Sequence, residues 1–153
     1  MTAKTFRLAV LTAACVMLAS ACAFAVDTEE TPATATVADF DSARTLVDAQ
    51  KFDEALPMLR QLDQQSPDNP DILNLIGFSL RKTGKMDEAL GYYTRALALN
   101  PTHLGANEYL GELYLETRQP DKAKERLAVL RQACGDCEEF EDLSAQIDRY
   151  AAQ

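Results

Sequence analysis

Basic side chains and histidine are scarce in this chain, and each shortage removes a class of function. Lys and Arg number 15 against 24 Asp and Glu, a formal net charge of −9. Such a surface is a poor match for nucleic acid or an anionic membrane, both of which call for a positive field. Histidine occurs once, at His103, which falls in a turn and reads as a solvated turn residue. No Gly-rich phosphate loop, no His/Cys ligand cluster and no serine beside a plausible base can be found. The carboxylates of Asp53-Glu54 and Asp87-Glu88 stand at helix starts, where they complement the helix dipole. The expectation is a protein that is not an enzyme, with no cofactor, no metal and no small-molecule substrate.

Long apolar runs are missing too, except near the start. Lys4 and Arg7 precede an apolar run from Leu8 to Ala21, followed by Ala23-Phe24-Ala25. A basic region, a short apolar core and an A-x-A site describe a secretory signal peptide over 1–25, cut after Ala25. The run is under about 18 residues and rich in Ala, Ser and Thr, too short for a membrane span. Ala19-Ser20-Ala21-Cys22 resembles a bacterial lipobox, but Ala19 holds the usual leucine place and Leu18 comes one residue too early. Export to the periplasm is therefore expected, with lipid anchoring through Cys22 as the alternative. Cleavage leaves 128 residues with 13 basic and 24 acidic side chains, a net charge of −11. Residues 26–36 lack an apolar period and read as a flexible tether to a domain over 37–152.

What that domain does have is a period of 34 residues. Ala89 falls on Ala55 and Ala123, Asp87 on Asp53 and Asp121, Gly77 on Gly111, Pro101 on Pro67, and Tyr93 on Leu59 and Leu127. Self-similarity at that spacing marks stacked helix–turn–helix units, here 36–69, 70–103 and 104–137. Within a unit, Ile72, Leu75, Ile76 and Leu80, then Ala89, Leu90, Tyr93, Ala96 and Leu97, recur three or four apart. These are the apolar stripes of two amphipathic helices. Gly77 and Gly111 lie inside helices at a cost of about 1 kcal/mol against alanine, which close approach of the paired helix would explain. Ala89 and Ala123 are the small residues expected opposite them. Thr83-Gly84-Lys85 supplies a C-cap glycine, and Asp53 or Asp87 an N-cap for the next helix. Pro67 and Pro101 end the second helices. Phe140, Leu143, Ile147 and Tyr150 then make one further amphipathic helix over about 138–151, expected to cap the open end by packing on the second helix of the third unit.

At these residues the chain resembles the tetratricopeptide repeat (TPR) family. The resemblance implies an all-α, right-handed superhelix of three helix–turn–helix repeats plus a C-terminal capping helix. It also implies a concave groove, lined by the first helix of each repeat, that holds a protein or peptide partner. Aligned unit by unit, the inward-facing residues are Phe40, Asp41, Arg44, Val47 and Asp48, then Asn74, Phe78, Arg81 and Lys82, then Glu108, Glu112, Leu115 and Glu116. Some TPR domains grip a terminal carboxylate; Asn74, Arg44, Arg81 and Lys82 imitate part of that clamp, and the glutamates of the third repeat oppose it. Phe78, an aromatic on an otherwise polar face, is the foremost interface residue. A protein-binding scaffold is the resulting expectation.

Cys134 and Cys137 are the only cysteines beyond residue 25. In an exported chain they read as a local disulfide staple between the last repeat and the cap helix. A redox-active pair, making this a thiol–disulfide accessory protein, is the alternative. A zinc site would need two more ligands, for which only His103 and carboxylates remain. Self-association through an open repeat face is a third possibility.

Overall fold

Each hairpin opens on a residue whose side chain accepts hydrogen bonds from the first free amides of a helix. Asp39 takes the amides of Asp41 (3.1 Å) and Ser42 (3.2 Å), Asn69 those of Asp71 (2.9 Å) and Ile72 (3.3 Å), and His103 Nδ1 that of Ala106 (3.1 Å). Such caps satisfy donors that a helix start leaves open. They begin α1 (Phe40–Asp48), α3 (Pro70–Lys82) and α5 (Leu104–Glu116). The return helices α2 (Phe52–Gln65), α4 (Met86–Leu99) and α6 (Pro120–Cys134) start 34 residues apart, and α7 (Glu138–Ala151) follows. The computed structural model describes residues 39–153, which hold seven helices and no strand. The signal peptide expected over 1–25, lipidation at Cys22 and the tether over 26–36 lie outside the described residues.

The turns inside the hairpins repeat as faithfully as the helices. Gln50, Gly84 and Arg118, again 34 apart, all have positive φ (58°, 81° and 60°). The next amide reaches back across the turn in each: Lys51 to Leu46 O, Lys85 to Leu80 O and Gln119 to Tyr114 O, at 2.9, 2.9 and 2.7 Å. This is the Schellman ending, in which a left-handed residue lets two amides satisfy the last carbonyls. It also corrects the expected caps. The boundary residues of α2 and α4 are Lys51 and Lys85, neither with a side-chain cap, and Asp53 and Asp87 lie within the first turn. Only the middle turn uses glycine for the left-handed position. Arg118→Gly is therefore expected to raise stability by about 1 kcal/mol, the relief of left-handed strain less the extra freedom of glycine in the unfolded chain. A higher urea midpoint with an unchanged m-value is the outcome to look for, and a lower midpoint overturns it.

Packing joins the hairpins into one stack. A continuous core runs from Ala43 and Val47 through Leu59, Leu73, Ile76, Leu80 and Tyr93 to Leu113, and a second cluster of Leu115, Ala123, Leu130, Phe140, Leu143 and Ile147 seats α7. Gly77 and Gly111 do mark close approach, and the atoms nearest to them belong to large side chains. A Cβ on Gly77 would sit 2.7 Å from Tyr93 Cε1, and one on Gly111 would sit 2.5 Å from Leu143 Cδ2. Large side chains use the gaps, because a glycine leaves a hollow that a ring or a branched end can enter. Leu143 further shows that α7 packs on α5 as well as on the expected α6.

Candidate functional site

The first helices lie side by side, and their shared face lines a cleft of about 860 Å³. Helical spacing decides which residues reach it. α1 contributes Phe40, Arg44, Val47 and Asp48; α3 contributes Asp71, Asn74, Leu75, Phe78 and Lys82. From the α5 side come His103, Leu104, Gly105, Glu108 and Tyr109, with Phe52 and Glu139 from the starts of α2 and α7. Three rings form a row across the floor. Phe78 is 5.9 Å from Phe52 in an edge-to-face arrangement and 4.6 Å from Tyr109, centroid to centroid. Lys82 Nζ stands 5.2 Å from the centre of the Phe78 ring, and the Arg44 guanidinium 5.9 Å from that of Phe40. One end of the cleft is thus aromatic and basic.

The other end is acidic and has polar groups in unusual settings. Glu108 is only 7 % exposed, and its pKa is pushed up to about 8, by burial first and then by Glu112, Asp142 and Glu139, with Arg81 opposing. Burial, with Glu108 and Glu112, likewise raises the Tyr109 hydroxyl to about 12. Asn74 is also 7 % exposed, and its Oδ1 is buried without a hydrogen-bond partner. Gly105 lies against it: a Cβ there would come within 3.0 Å of Asn74 Nδ2. His103, expected as a solvated turn residue, is instead a tie between repeats. Its Nδ1 caps α5 and its Nε2 lies 3.0 Å from Asp71 Oδ1 on α3.

Five of the expected groove residues, Asp41, Arg81, Glu112, Leu115 and Glu116, do not line the cleft. The Arg81 side chain is 2 % exposed; Nη2 forms an ion pair with Glu112, and Nη1 lies 2.6 Å from Glu116 Oε1. Glu112 also accepts from Gln146 Nε2 on α7 at 3.2 Å. Arg81, Glu112 and Glu116 therefore clamp α3 to α5, and the first of them is closed off from any partner. Leu115 belongs to the second apolar cluster. Phe40, Arg44, Asn74, Phe78, Lys82 and Glu108 do come together in the cleft. Phe52, Tyr109, His103 and Glu139 were not anticipated. Phe52 stands where Met86 and Pro120 stand in the later repeats, so only its identity signalled it.

Models of the tetratricopeptide repeat match residues 40–103 and 80–147, which together span the helices from α1 into α7. The chain belongs to the tetratricopeptide repeat family. Solved TPR structures share the fold at low identity. The first TPR of Spaghetti, bound to the HSP90 peptide SRMEEVD, superposes with a TM-score of 0.65 at 18% identity, covering 74% of this chain and 90% of that one. PcrH in complex with the chaperone binding region of PopD gives 0.65 at 14% identity, over 74% and 88% of the two chains. The Yersinia enterocolitica type III secretion chaperone SycD with a peptide of the translocator YopD gives 0.62 at 15%, over 73% and 86%. No curated protein matches in sequence.

At the far end of the TPR stack, Cys134 closes α6 and Cys137 is the residue before α7, with Cα atoms 5.7 Å apart, a span that permits a disulfide. Asp136, Glu138, Glu139 and Glu141 flank the pair in sequence, and Arg131 lies over the Phe140 ring, 4.4 Å from its centre. Among the described residues no group of His, Cys, Asp and Glu has a metal-binding arrangement, and no helix is long and apolar enough to cross a membrane.

Proposed function

We propose that this TPR domain is an exported, non-catalytic scaffold that holds a segment of a partner polypeptide in the cleft between α1, α3 and α5. The row of Phe52, Phe78 and Tyr109 on the cleft floor carries this reading. Aromatic rings at the centre of a concave surface supply contact area at little conformational cost, and they dominate binding energy where they occur. TPR neighbours solved with peptides support the same class of ligand. His103, the one histidine, has both ring nitrogens engaged in structure, which fits a binding role better than a catalytic one.

The segment over 1–25 supports export to the periplasm, with anchoring through Cys22 as the other form of the same export. In that compartment Cys134 and Cys137 act as a staple across the turn between α6 and α7. No strand leads into the pair among the described residues, unlike the thioredoxin-like arrangement that a thiol–disulfide accessory protein would use.

Crosslinking pulldowns from a periplasmic extract test the groove. Relative to wild type, Phe78→Ala and Lys82→Glu are expected to lose the same partner by about tenfold or more, the usual cost of removing a central aromatic or reversing a rim charge. Replacing both Cys134 and Cys137 by serine is expected to leave capture intact. Recovery of the wild-type partners by both groove variants would place binding elsewhere, and loss in the serine variant would favour thiol chemistry.

A further inference from the structure

We infer that the α5 end of the cleft is a subsite for a basic side chain of the bound segment, received by the Asn74 amide and the carboxylates of Glu108 and Glu139. This rests on the peptide-binding reading and names what one part of the cleft selects. Three independent observations converge on it.

The first is Asn74. A side-chain amide that is 7 % exposed, with a buried Oδ1 lacking any partner, is uncommon in folded proteins and needs an explanation. Asn74 lines the cleft, and Gly105 beside it carries no Cβ to press on the amide. A half-turn of the amide about its last torsion exchanges the oxygen and nitrogen positions, so the acceptor can be offered to a donor entering the cleft. In that orientation the oxygen is open to a ligand donor and the amide nitrogen takes the buried position.

The second is charge. Glu108 faces Glu112 on its own helix and Glu139 and Asp142 on α7, and the opposing cation, Arg81 on α3, is already held between Glu112 and Glu116. Five carboxylates thus share one guanidinium. Glu108 relieves the crowding by keeping its proton near neutral pH, the response of a buried carboxyl among like charges. An ammonium or guanidinium group arriving beside Glu108 takes over that role. The carboxyl releases one proton to water, and the ion pair replaces the O–H bond.

The third is the wall. Phe78 and Tyr109, 4.6 Å apart, border the same stretch, and a long basic side chain can lay its methylenes along them while its charged end reaches Glu108. A carboxylate in this place would face Glu108 and Glu139, with Arg81 already held by Glu112 and Glu116 and Lys82 lying out over the Phe78 ring. The α5 end of the cleft therefore selects against the acidic terminus that the basic α1 and α3 side would tolerate.

The test uses three acetylated, amidated pentapeptides, Ala-Leu-Xaa-Leu-Ala, with lysine, norleucine or glutamate at the centre, titrated against the chain lacking residues 1–25. Fluorescence anisotropy is expected to show the lysine peptide binding about tenfold tighter than its norleucine counterpart, as a charge-assisted contact in a half-buried site should. The glutamate peptide is expected to be weakest. Glu108→Gln and Asn74→Leu should each erase the lysine preference while norleucine binding persists. Glu125→Gln, an exposed change on α6 away from the cleft, should not, which separates the subsite from the general attraction of an acidic protein. Wild-type affinity for the lysine peptide should also rise with pH between 6 and 8, by up to about tenfold per unit, as Glu108 gives up its proton. The norleucine peptide should show no such rise. Equal binding of lysine and norleucine peptides, lost together in Phe78→Ala, would overturn the subsite and leave the groove reading standing. Absence of binding by all three, or indifference to Phe78→Ala, would overturn both.

Discussion

Arg81→Ala should lower the unfolding free energy by about 3–5 kcal/mol, the range found when one partner is taken out of a buried ion pair. The guanidinium is 2 % exposed and holds Glu112 and Glu116 across the α3–α5 boundary, and Glu112 is itself only 14% exposed. Without the cation, Glu112 would be left as a largely buried charge with no opposite charge nearby, beside a Glu108 that already holds its proton near neutral pH. The cost should therefore fall when the orphan is removed as well. Arg81→Met together with Glu112→Gln is expected to recover at least half of the loss, since the methionine refills the volume and no unpaired charge remains. For a domain of this size, the single variant should melt about 15 °C or more below wild type. A loss under 1 kcal/mol in Arg81→Ala would mean that the arginine is solvated and free, and that its absence from the cleft has been wrongly described.

Arg81 also shows where sequence reading stops. The 34-residue period, the two stripes per unit and the left-handed turn at Gly84 are properties of neighbouring residues, so they can be read along the chain. Whether Arg81 or Lys82 turns inward is not such a property. It depends on Glu112 and Glu116, more than thirty residues away, which meet α3 only after the repeats stack. Gly77 and Gly111 were legible as points of close approach, yet the residues that approach, Tyr93 and Leu143, belong to helices whose tilt the sequence does not state. The cleft was half legible for a related reason. Assigning it to first helices alone finds Phe40, Asn74, Phe78 and Glu108, but omits Phe52 and Glu139, which enter from the starts of α2 and α7. Asp53 and Asp87 look like caps in the sequence, and the Schellman turn moves the helix boundary two residues ahead of them.

Gly111 and Leu143 offer a direct measure of how α7 closes the stack. Leu143 is fully buried, and both of its methyl carbons lie over the Gly111 backbone, where an added Cβ would stand 2.5 and 2.7 Å from them. Gly111→Ala gains about 1 kcal/mol of helix propensity, but it must push a packed leucine aside, a strain of about 1–3 kcal/mol, so a net loss of up to about 2 kcal/mol is expected. Leu143→Ala leaves a cavity and should cost about 3 kcal/mol. The two changes compensate, because the Cβ at 111 enters the hole vacated at 143. The double variant should therefore be more stable than the sum of the singles allows, by at least about 1 kcal/mol in a double-mutant cycle. The consequence reaches the cleft. Glu139 lies one turn before Leu143 on the same helix, so loosening α7 in Gly111→Ala should weaken peptide binding, and the double variant should restore it. Additive stabilities, with binding unaffected in every variant, would mean that α7 is an independent appendage and that the third repeat completes the cleft without it.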